Sequence, residues 1–401
     1  MKELKDFEKD LNKCSKCGLC EIACPLFKLE PNDCVASKGK FIMLHGVAKG
    51  ELKLSPKINS YIDMCLKCGK CDDFCPSGID VCTILNTAKY EYSKNTFSGK
   101  LIHLLLSRPI FRTFVKLCET ISKPYRPKFI NKEKTTTVAY FKGCVNQIFP
   151  NTDKYLAKIF KNSDVEIITP DFDCCGLPFL SEGAMERFIE SAKYNISKLN
   201  FDYDYLLADC ASCQSTISEY SEYIENIDFE GKIHNWGDLI ALKNLKFKFK
   251  NPIKITFHKP CHLKNDKFFK RIIDNCENIE YIQMEDYDGC CGFAGSFGIK
   301  NRKFSKQLSQ IKAKNIAKTN ADYVITTCPA CILGIKQGLF LENNKTKVIS
   351  LLEFLSMADE IIWQIYSIHT SKHQLDWATK LCKLGNSQNQ YQLQQKIQVT
   401  T

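Results

Sequence analysis

Two evenly spaced cysteine runs constrain this chain more than any other feature. Cys14, Cys17, Cys20 and Cys24 precede Pro25, and Cys65, Cys68, Cys71 and Cys75 precede Pro76. Both runs read C-x2-C-x2-C-x3-C-P, and every cysteine of the second lies 51 residues after its counterpart. They are part of a total of 23 cysteines in 401 residues. Disulfides on that scale belong to oxidising compartments. The charged start Met1-Lys2-Glu3-Leu4-Lys5-Asp6 does not read as a secretory leader. In a reducing compartment, spaced cysteines read as metal ligands. A fold built on these runs is therefore wrapped around metal rather than around a purely apolar core.

The spacing resembles that of bacterial two-cluster ferredoxins, in which the fourth cysteine of each run ligates the other cluster. The expected sets are Cys14, Cys17, Cys20 and Cys75 for cluster one, and Cys65, Cys68, Cys71 and Cys24 for cluster two. Both clusters are expected to be [4Fe-4S]. Gly18 and Gly69 are expected to supply the tight turn that aims backbone amides at sulfur. Pro25 and Pro76 are expected to end the loops. A pair of zinc ribbons fits poorly, since zinc sites rarely use eight cysteines at this spacing.

A second, longer repeat fills the rest of the chain. Cys144, Cys174, Cys175, Cys210 and Cys213 recur as Cys261, Cys290, Cys291, Cys328 and Cys331, at offsets of 117, 116, 116, 118 and 118. Near-constant offsets at five positions imply two homologous lobes. Each reads as strands alternating with helices, the pattern of a parallel sheet. The first lobe offers strands at Val138–Phe141, Val165–Ile168 and Tyr205–Ala208. The second offers Ile253–Phe257, Ile279–Ile282 and Tyr323–Thr326. Ligands of such sheets gather beyond the carboxyl ends of the strands, where these cysteines fall.

The expected fold class is a multidomain α+β and α/β chain: a mostly helical ferredoxin-like domain followed by two homologous α/β cysteine-rich lobes. The expected divisions are 1–95 for the two-cluster domain, 96–135 for a linker, 136–245 and 246–358 for the lobes, and 359–401 for a Gln- and Asn-rich tail. Residues 348–366 are expected to finish the second lobe as a helix. Cys34, Cys82, Cys118, Cys276 and Cys382 stand outside the motifs and read as small buried hydrophobes.

The formal net charge is +11. Each [4Fe-4S]2+ core with four thiolates carries about −2, so two clusters bring the net to roughly +7. Scattered lysines without a recognition motif argue against nucleic acid. Arg302, Lys303, Lys306, Lys312, Lys314 and Lys318 share one expected helix and read as a solvated face, with docking to an acidic flavoprotein as the alternative. No apolar stretch reaches the length of a membrane span. Leu101–Leu106 with Phe111, Arg112, Phe114 and Lys116 reads as a connector packing on the protein, or else as a basic amphipathic segment on a membrane surface. His258 and His262 flank Cys261 and suit either packing or outer hydrogen bonds to a metal site.

The five-cysteine lobes resemble the cysteine-rich CCG domain: Gly143-Cys144-Val145, Cys174-Cys175-Gly176 and Cys210-Ala211-Ser212-Cys213, then His258-Lys259-Pro260-Cys261-His262, Cys290-Cys291-Gly292 and Cys328-Pro329-Ala330-Cys331. Two ferredoxin runs followed by two such lobes resemble the iron-sulfur subunit of glycolate oxidase, over roughly residues 8–356. Related patterns occur in the anaerobic glycerol-3-phosphate dehydrogenase iron-sulfur subunit and in heterodisulfide reductase. The resemblance implies an electron-transfer subunit served by an FAD-containing dehydrogenase subunit that oxidises a 2-hydroxy acid such as glycolate or lactate. It implies a quinone or another carrier as acceptor, and a cytoplasmic location that includes the inner membrane face. It also implies a further iron-sulfur cluster or zinc in the lobes, with a redox-inert thiol cluster as the alternative. The sequence shows no flavin fingerprint or P-loop. A chain of this kind is expected to be inactive alone, because a two-electron organic oxidation needs a hydride-accepting cofactor. A catalytic, heterodisulfide-type subunit is one rival reading, and the iron-sulfur subunit of an anaerobic glycerol-3-phosphate dehydrogenase is the other.

Overall fold

The structure, a computed structural model, describes residues 3–105, 110, 112–113, 115–117, 135–148, 151–224, 229 and 232–363. The expected tail from Ser371, most of the proline-punctuated linker, and Cys118 and Cys382 lie outside the described residues.

The two cysteine runs are short helices and loops held between longer helices. The segment between them is built as two helices, Ser37–Ala48 and Pro56–Asp63. Pro56 sits in the first turn of the second, where its missing N–H leaves no bond unmade, and Ser55 Oγ caps it by accepting from Ile58 N at 3.3 Å. Asp80 caps the next helix, Val81–Lys94, by accepting from Thr83 N at 2.9 Å. Leu4, Phe7, Leu11, Leu44, Ile62, Leu85 and Ala88 close a core behind the runs. Gly18 and Gly69 take φ of +83° and +71°. Lys16 and Lys67 are also left-handed, at 58° and 53°, so both runs turn twice at the same positions. Pro25 begins a helix, Pro25–Leu29, rather than merely closing the loop.

Helix Phe97–Leu105 packs on Val81–Lys94 through Gly99, where an added Cβ would lie 2.1 Å from the Ser93 carbonyl oxygen. No helix among the described residues is long and apolar enough to cross a membrane.

The lobes are two parallel sheets of matching strand order. The first comprises β1 (Thr136–Phe141), β2 (Val165–Ile168), β3 (Tyr205–Ala208) and β4 (Ile233–Asn235), arranged β2-β1-β3-β4. The second comprises β5 (Lys246–Phe257), β6 (Cys276–Tyr281), β7 (Tyr323–Thr326) and β8 (Lys347–Ser350), arranged β6-β5-β7-β8. Each lobe has a fourth parallel strand beyond the three expected. The expected closing helix over 348–366 is instead β8, a short helix Leu351–Ser356, and β9 (Glu360–Ile362), which pairs antiparallel with Lys246–Lys248 of β5. Strand order reverses between β1 and β3 and between β5 and β7, the crevice where such sheets collect ligands. Phe141 pairs with Ala208 there, and Phe257 with Ile325.

One continuous apolar core runs through both lobes, from Tyr140, Phe160 and Trp236 to Phe257, Ile325 and Phe354. A smaller cluster joins Leu26, Val35 and Leu66 of the cysteine-run region to Phe297 and Leu308 of the second lobe.

Candidate metal centres

Cys14, Cys17 and Cys20 line one pocket, together with Cys71 and Cys75 from the second run. Phe41, Ile79 and Val81 add its apolar wall. Cys17 is the exposed member, and Cys14, Cys20 and Cys75 are half-buried. The Leu19 backbone N–H holds the Cys17 thiol below its ordinary pKa, whereas burial pushes Cys20 up.

Cys65, Cys68 and Cys71 lie together with Cys24 on the other side. Cys24 and Cys68 pack in one small apolar cluster, and the charges of Cys65 and Cys24 both act on Cys68. Cys71 neighbours Cys65 and Cys68 as well as lining the first pocket. Burial pushes the Cys68 thiol up to about 12, and Cys71 higher still. Thiols held that high stay protonated at neutral pH unless a metal takes the sulfur and releases the proton. Backbone N–H donation to sulfur is already in place, from Lys67 N to Cys65 Sγ at 3.4 Å. A donor set of mostly half-buried thiols from both runs, with a backbone amide already directed at one sulfur, fits iron-sulfur clusters. Cys82, expected to be a small buried hydrophobe, is half-buried beside Cys65 and Cys71, where the Asp72 carboxylate also acts on it.

The lobe cysteines come off the carboxyl edges of their sheets. In the first lobe Cys144 Sγ and Cys174 Sγ are 3.6 Å apart. Cys175 accepts from the Cys174 and Cys213 thiols, which holds it well below the ordinary thiol range. Gly143, at φ +71°, lets Cys213 Sγ approach: an added Cβ would lie 3.1 Å from that sulfur. The second lobe repeats the pattern. Cys290 and Cys331 hold Cys291 down, and Gly292 N donates to Cys290 Sγ at 3.2 Å. The lobes meet at equivalent cysteines, since the free thiols of Cys210 and Cys328 neighbour each other. Beside them Ala211 N donates to Thr327 O at 3.0 Å. Contact between equivalent residues is what a two-fold relation produces.

The second lobe also meets the second run. Cys261 and Cys290 both lie within electrostatic reach of Cys68. His262 pins this junction. Its Nε2 donates to Lys67 O at 2.8 Å, which leaves Nδ1 to accept from Ser212 Oγ at 3.0 Å. One imidazole thus ties the loop of the second run, the Cys210-x-x-Cys213 turn of the first lobe and its own lobe together. Lys70 Nζ pairs with Asp288 at 3.0 Å across the same seam.

Each lobe holds a buried cation behind its Cys-Cys pair. Arg187 pairs with Asp173 at 2.8 Å, and Asp173 Oδ1 accepts from Cys174 N at 2.8 Å. Lys312, expected on a solvated basic face, is buried, and its ammonium donates to Asp286 O. Arg302, Lys303, Lys306, Lys314 and Lys318 of the same helix are exposed. Sequence reasoning missed Ser212, Cys82 and the burial of Lys312, none of which carries a spacing signal.

His258, three residues before Cys261, is 1% exposed, and neither ring nitrogen makes a hydrogen bond of ordinary geometry. A ligand atom of His258 lies within 4.8 Å of Cys291 Sγ and Cys331 Sγ. Burial lowers its pKa, so the ring is neutral.

Comparison with known proteins agrees with this construction. A cysteine-rich domain, CCG, matches residues 138–218 and 255–336, and a 4Fe-4S dicluster domain matches residues 10–79. The chain is an iron-sulfur protein in which a dicluster domain precedes two cysteine-rich repeats. It is similar to iron-sulfur subunits of glycolate oxidase and to a subunit of anaerobic glycerol-3-phosphate dehydrogenase. It is 26% identical over 369 residues to one subunit of the fumarate reductase (CoM/CoB) from Methanothermobacter marburgensis, covering 87% of this chain and 73% of that one. It is 22% identical to a probable glycolate oxidase iron-sulfur subunit from Bacillus subtilis, covering 87% and 94%. To one subunit of the anaerobic glycerol-3-phosphate dehydrogenase of Escherichia coli it is 25% identical, covering 51% and 56%.

Proposed function

We propose that this chain is the electron-transfer subunit of a dehydrogenase complex of the glycolate or lactate oxidase type. A partner chain bearing FAD oxidises the 2-hydroxy acid, and a quinone or another carrier accepts the electrons. The proposed ligands are Cys14, Cys17, Cys20 and Cys75 for one [4Fe-4S] cluster, and Cys65, Cys68, Cys71 and Cys24 for the other. Iron-sulfur clusters supply one-electron redox chemistry when bound. The chain's own residues supply the thiols, the amides behind them and the apolar wall that keeps water back. The observation that carries the reading is continuity: Cys71 is common to both run sites, and Cys68 neighbours Cys261 and Cys290. Sulfur ligands therefore follow one another from the exposed Cys17 to the lobe interface.

Two observations favour a second reading, a subunit that itself acts on a disulfide at the lobes. Both lobes keep all five cysteines, and one similar protein is named for CoM/CoB. One experiment separates the two. The pure chain, given glycolate or lactate with a dye acceptor, should reduce no dye, and adding the flavoprotein encoded beside it should start turnover. Turnover of a hydroxy acid by the chain alone would end the subunit reading. Reduction of a disulfide by the chain alone, driven by a low-potential donor, would put the second in its place.

A further inference from the structure

Lys67 lies between Cys65 and Cys68, two proposed ligands of one cluster, and the repeat supplies its control. Lys16 holds the matching place between Cys14 and Cys17, 51 residues earlier. Both take a left-handed backbone, with φ of 58° at Lys16 and 53° at Lys67, so the two side chains leave their loops alike. Their ends differ. Lys16 is exposed, whereas Lys67 is half-buried and its Nζ is enclosed without a hydrogen-bond partner among the described residues. The second lobe covers this loop: His262 Nε2 donates to Lys67 O at 2.8 Å. Lys67 N in turn donates to Cys65 Sγ at 3.4 Å. A lysine can usually carry its head group to water along a flexible stem. A buried charge without compensation is strongly destabilising, so an enclosed ammonium calls for an anion.

The neighbouring side chains do not supply one. Each run carries a carboxylate directly after its third cysteine, Glu21 in the first and Asp72 in the second. Glu21 is matched by Lys38 at 3.2 Å. Asp72 Oδ1 accepts from Val81 N at 2.7 Å and from the Cys71 thiol at 3.8 Å, and the Cys82 thiol bonds the same carboxylate. Lys70, the other lysine of this run, is engaged by Asp288. The Lys67 charge acts on the Cys82 thiol, beside Cys65 and Cys71, so its field falls on the thiol set of the second run.

We propose that the Lys67 ammonium is the counter-charge of the cluster held by Cys65, Cys68, Cys71 and Cys24, and that it raises the reduction potential of that cluster. Reduction adds one electron, from the FAD-bearing partner, and moves no proton. With four thiolates the charge goes from about −2 to about −3. A cation enclosed in a low dielectric favours the more negative form. Asp72 pulls the other way, and without Lys67 its charge would stand alone behind the second run. The electron is thereby biased toward the side of the molecule where Cys68 neighbours Cys261 and Cys290. The inference rests on the electron-transfer reading and its ligand sets, and names a residue that tunes one of the two clusters.

The test uses the full chain, loaded anaerobically and titrated with dithionite and mediators while EPR follows the reduced clusters. Lys67→Gln should lower one of the two one-electron steps about tenfold in its reduction constant, about 59 mV. The other step should stay nearly unmoved, and Lys67→Arg should recover most of the shift. Lys16→Gln should change neither step by more than about twofold, because water and salt screen an exposed charge. Iron should stay at about eight atoms per chain throughout. Unchanged potentials in Lys67→Gln, or an equal shift in Lys16→Gln, would overturn the proposal and leave the cluster assignment standing. Wild-type iron near about four atoms would instead overturn the assignment, and the proposal with it. If Lys67→Gln loses its iron, Lys67→Met, of similar length, is titrated in its place with the same expectation. Iron loss from the Gln, Met and Arg variants alike would make this side chain a structural prop and would also overturn the proposal.

Discussion

Both lobes bury polar side chains, but the first pairs its buried cations with carboxylates, Lys142 with Asp153 and Arg187 with Asp173, whereas the second does not. Phe141 in one is His258 in the other. Arg187 in the first lobe faces a carboxylate, Asp173, and Lys312 in the second bonds only the carbonyl of Asp286. Their surroundings differ in the same sense. The second lobe is the one that packs its Phe297 and Leu308 on Leu26 and Leu66, and that receives Lys67 and Lys70 through His262 and Asp288. Two copies of one sheet order and one cysteine pattern have therefore kept their frame and diverged in how their buried polar groups are paired. The copy against the second cysteine run carries the less saturated interior.

Four substitutions test that contrast, beginning with the largest expected effect. Arg187→Met strands the buried Asp173 carboxylate and should lower stability by about 3–5 kcal/mol in urea unfolding. Lys312→Met removes a buried charge and leaves one carbonyl without a donor, so it should lose no more than about 1–3 kcal/mol. An equal or reversed ranking would break the comparison. His262→Asn should loosen the seam by about 1–2 kcal/mol. It should also alter the EPR signature of the cluster nearest Cys68 while leaving the one nearest Cys17 alone. A variant that changed both, or neither, would show that the junction is not specific to the second lobe. Lys70→Ala should matter least. Its pair with Asp288 is partly exposed and is worth at most about 1 kcal/mol, less as salt rises. A salt-independent loss there would mean the seam is drier than its exposure suggests.

Much of this architecture is legible in the sequence. β2, β3 and β7 have the ends that their apolar tetrads imply, and the two repeats set the order of parts. The missed strands have physical reasons. β4 is three residues long, too short to show alternation, and β8, Lys347–Ser350, has only two apolar residues, Val348 and Ile349. β5 starts at Lys246 rather than Ile253 because its first half carries alternating lysines. Its pairing with β6 also shifts register between Lys248 and Ile253, around Asn251-Pro252. At the candidate site the motif cysteines can be read because their spacing repeats. The His262 bridge cannot, since its partners Lys67 and Ser212 are 195 and 50 residues away. Lys312 escapes because a run of basic residues gives no sign of which one the helix turns inward.

The last described residues fold back on the first lobe. Lys158 Nζ donates to Ala358 O and Trp363 Nε1 donates to Ile159 O, both at 3.1 Å, across 200 and 204 residues of chain. The Trp363 ring packs on Phe160, centroids 5.4 Å apart. These bonds have a meaning for synthesis. A ribosome adding about 5–20 residues each second needs roughly 10–40 s to bridge that interval. Throughout it Phe160 waits without its indole cover, and from Cys213 onward the first lobe has all five thiols made and stands unfastened. Its five thiols are therefore complete long before the lobe is fastened, whereas the strap follows the last cysteine of the second lobe within seconds.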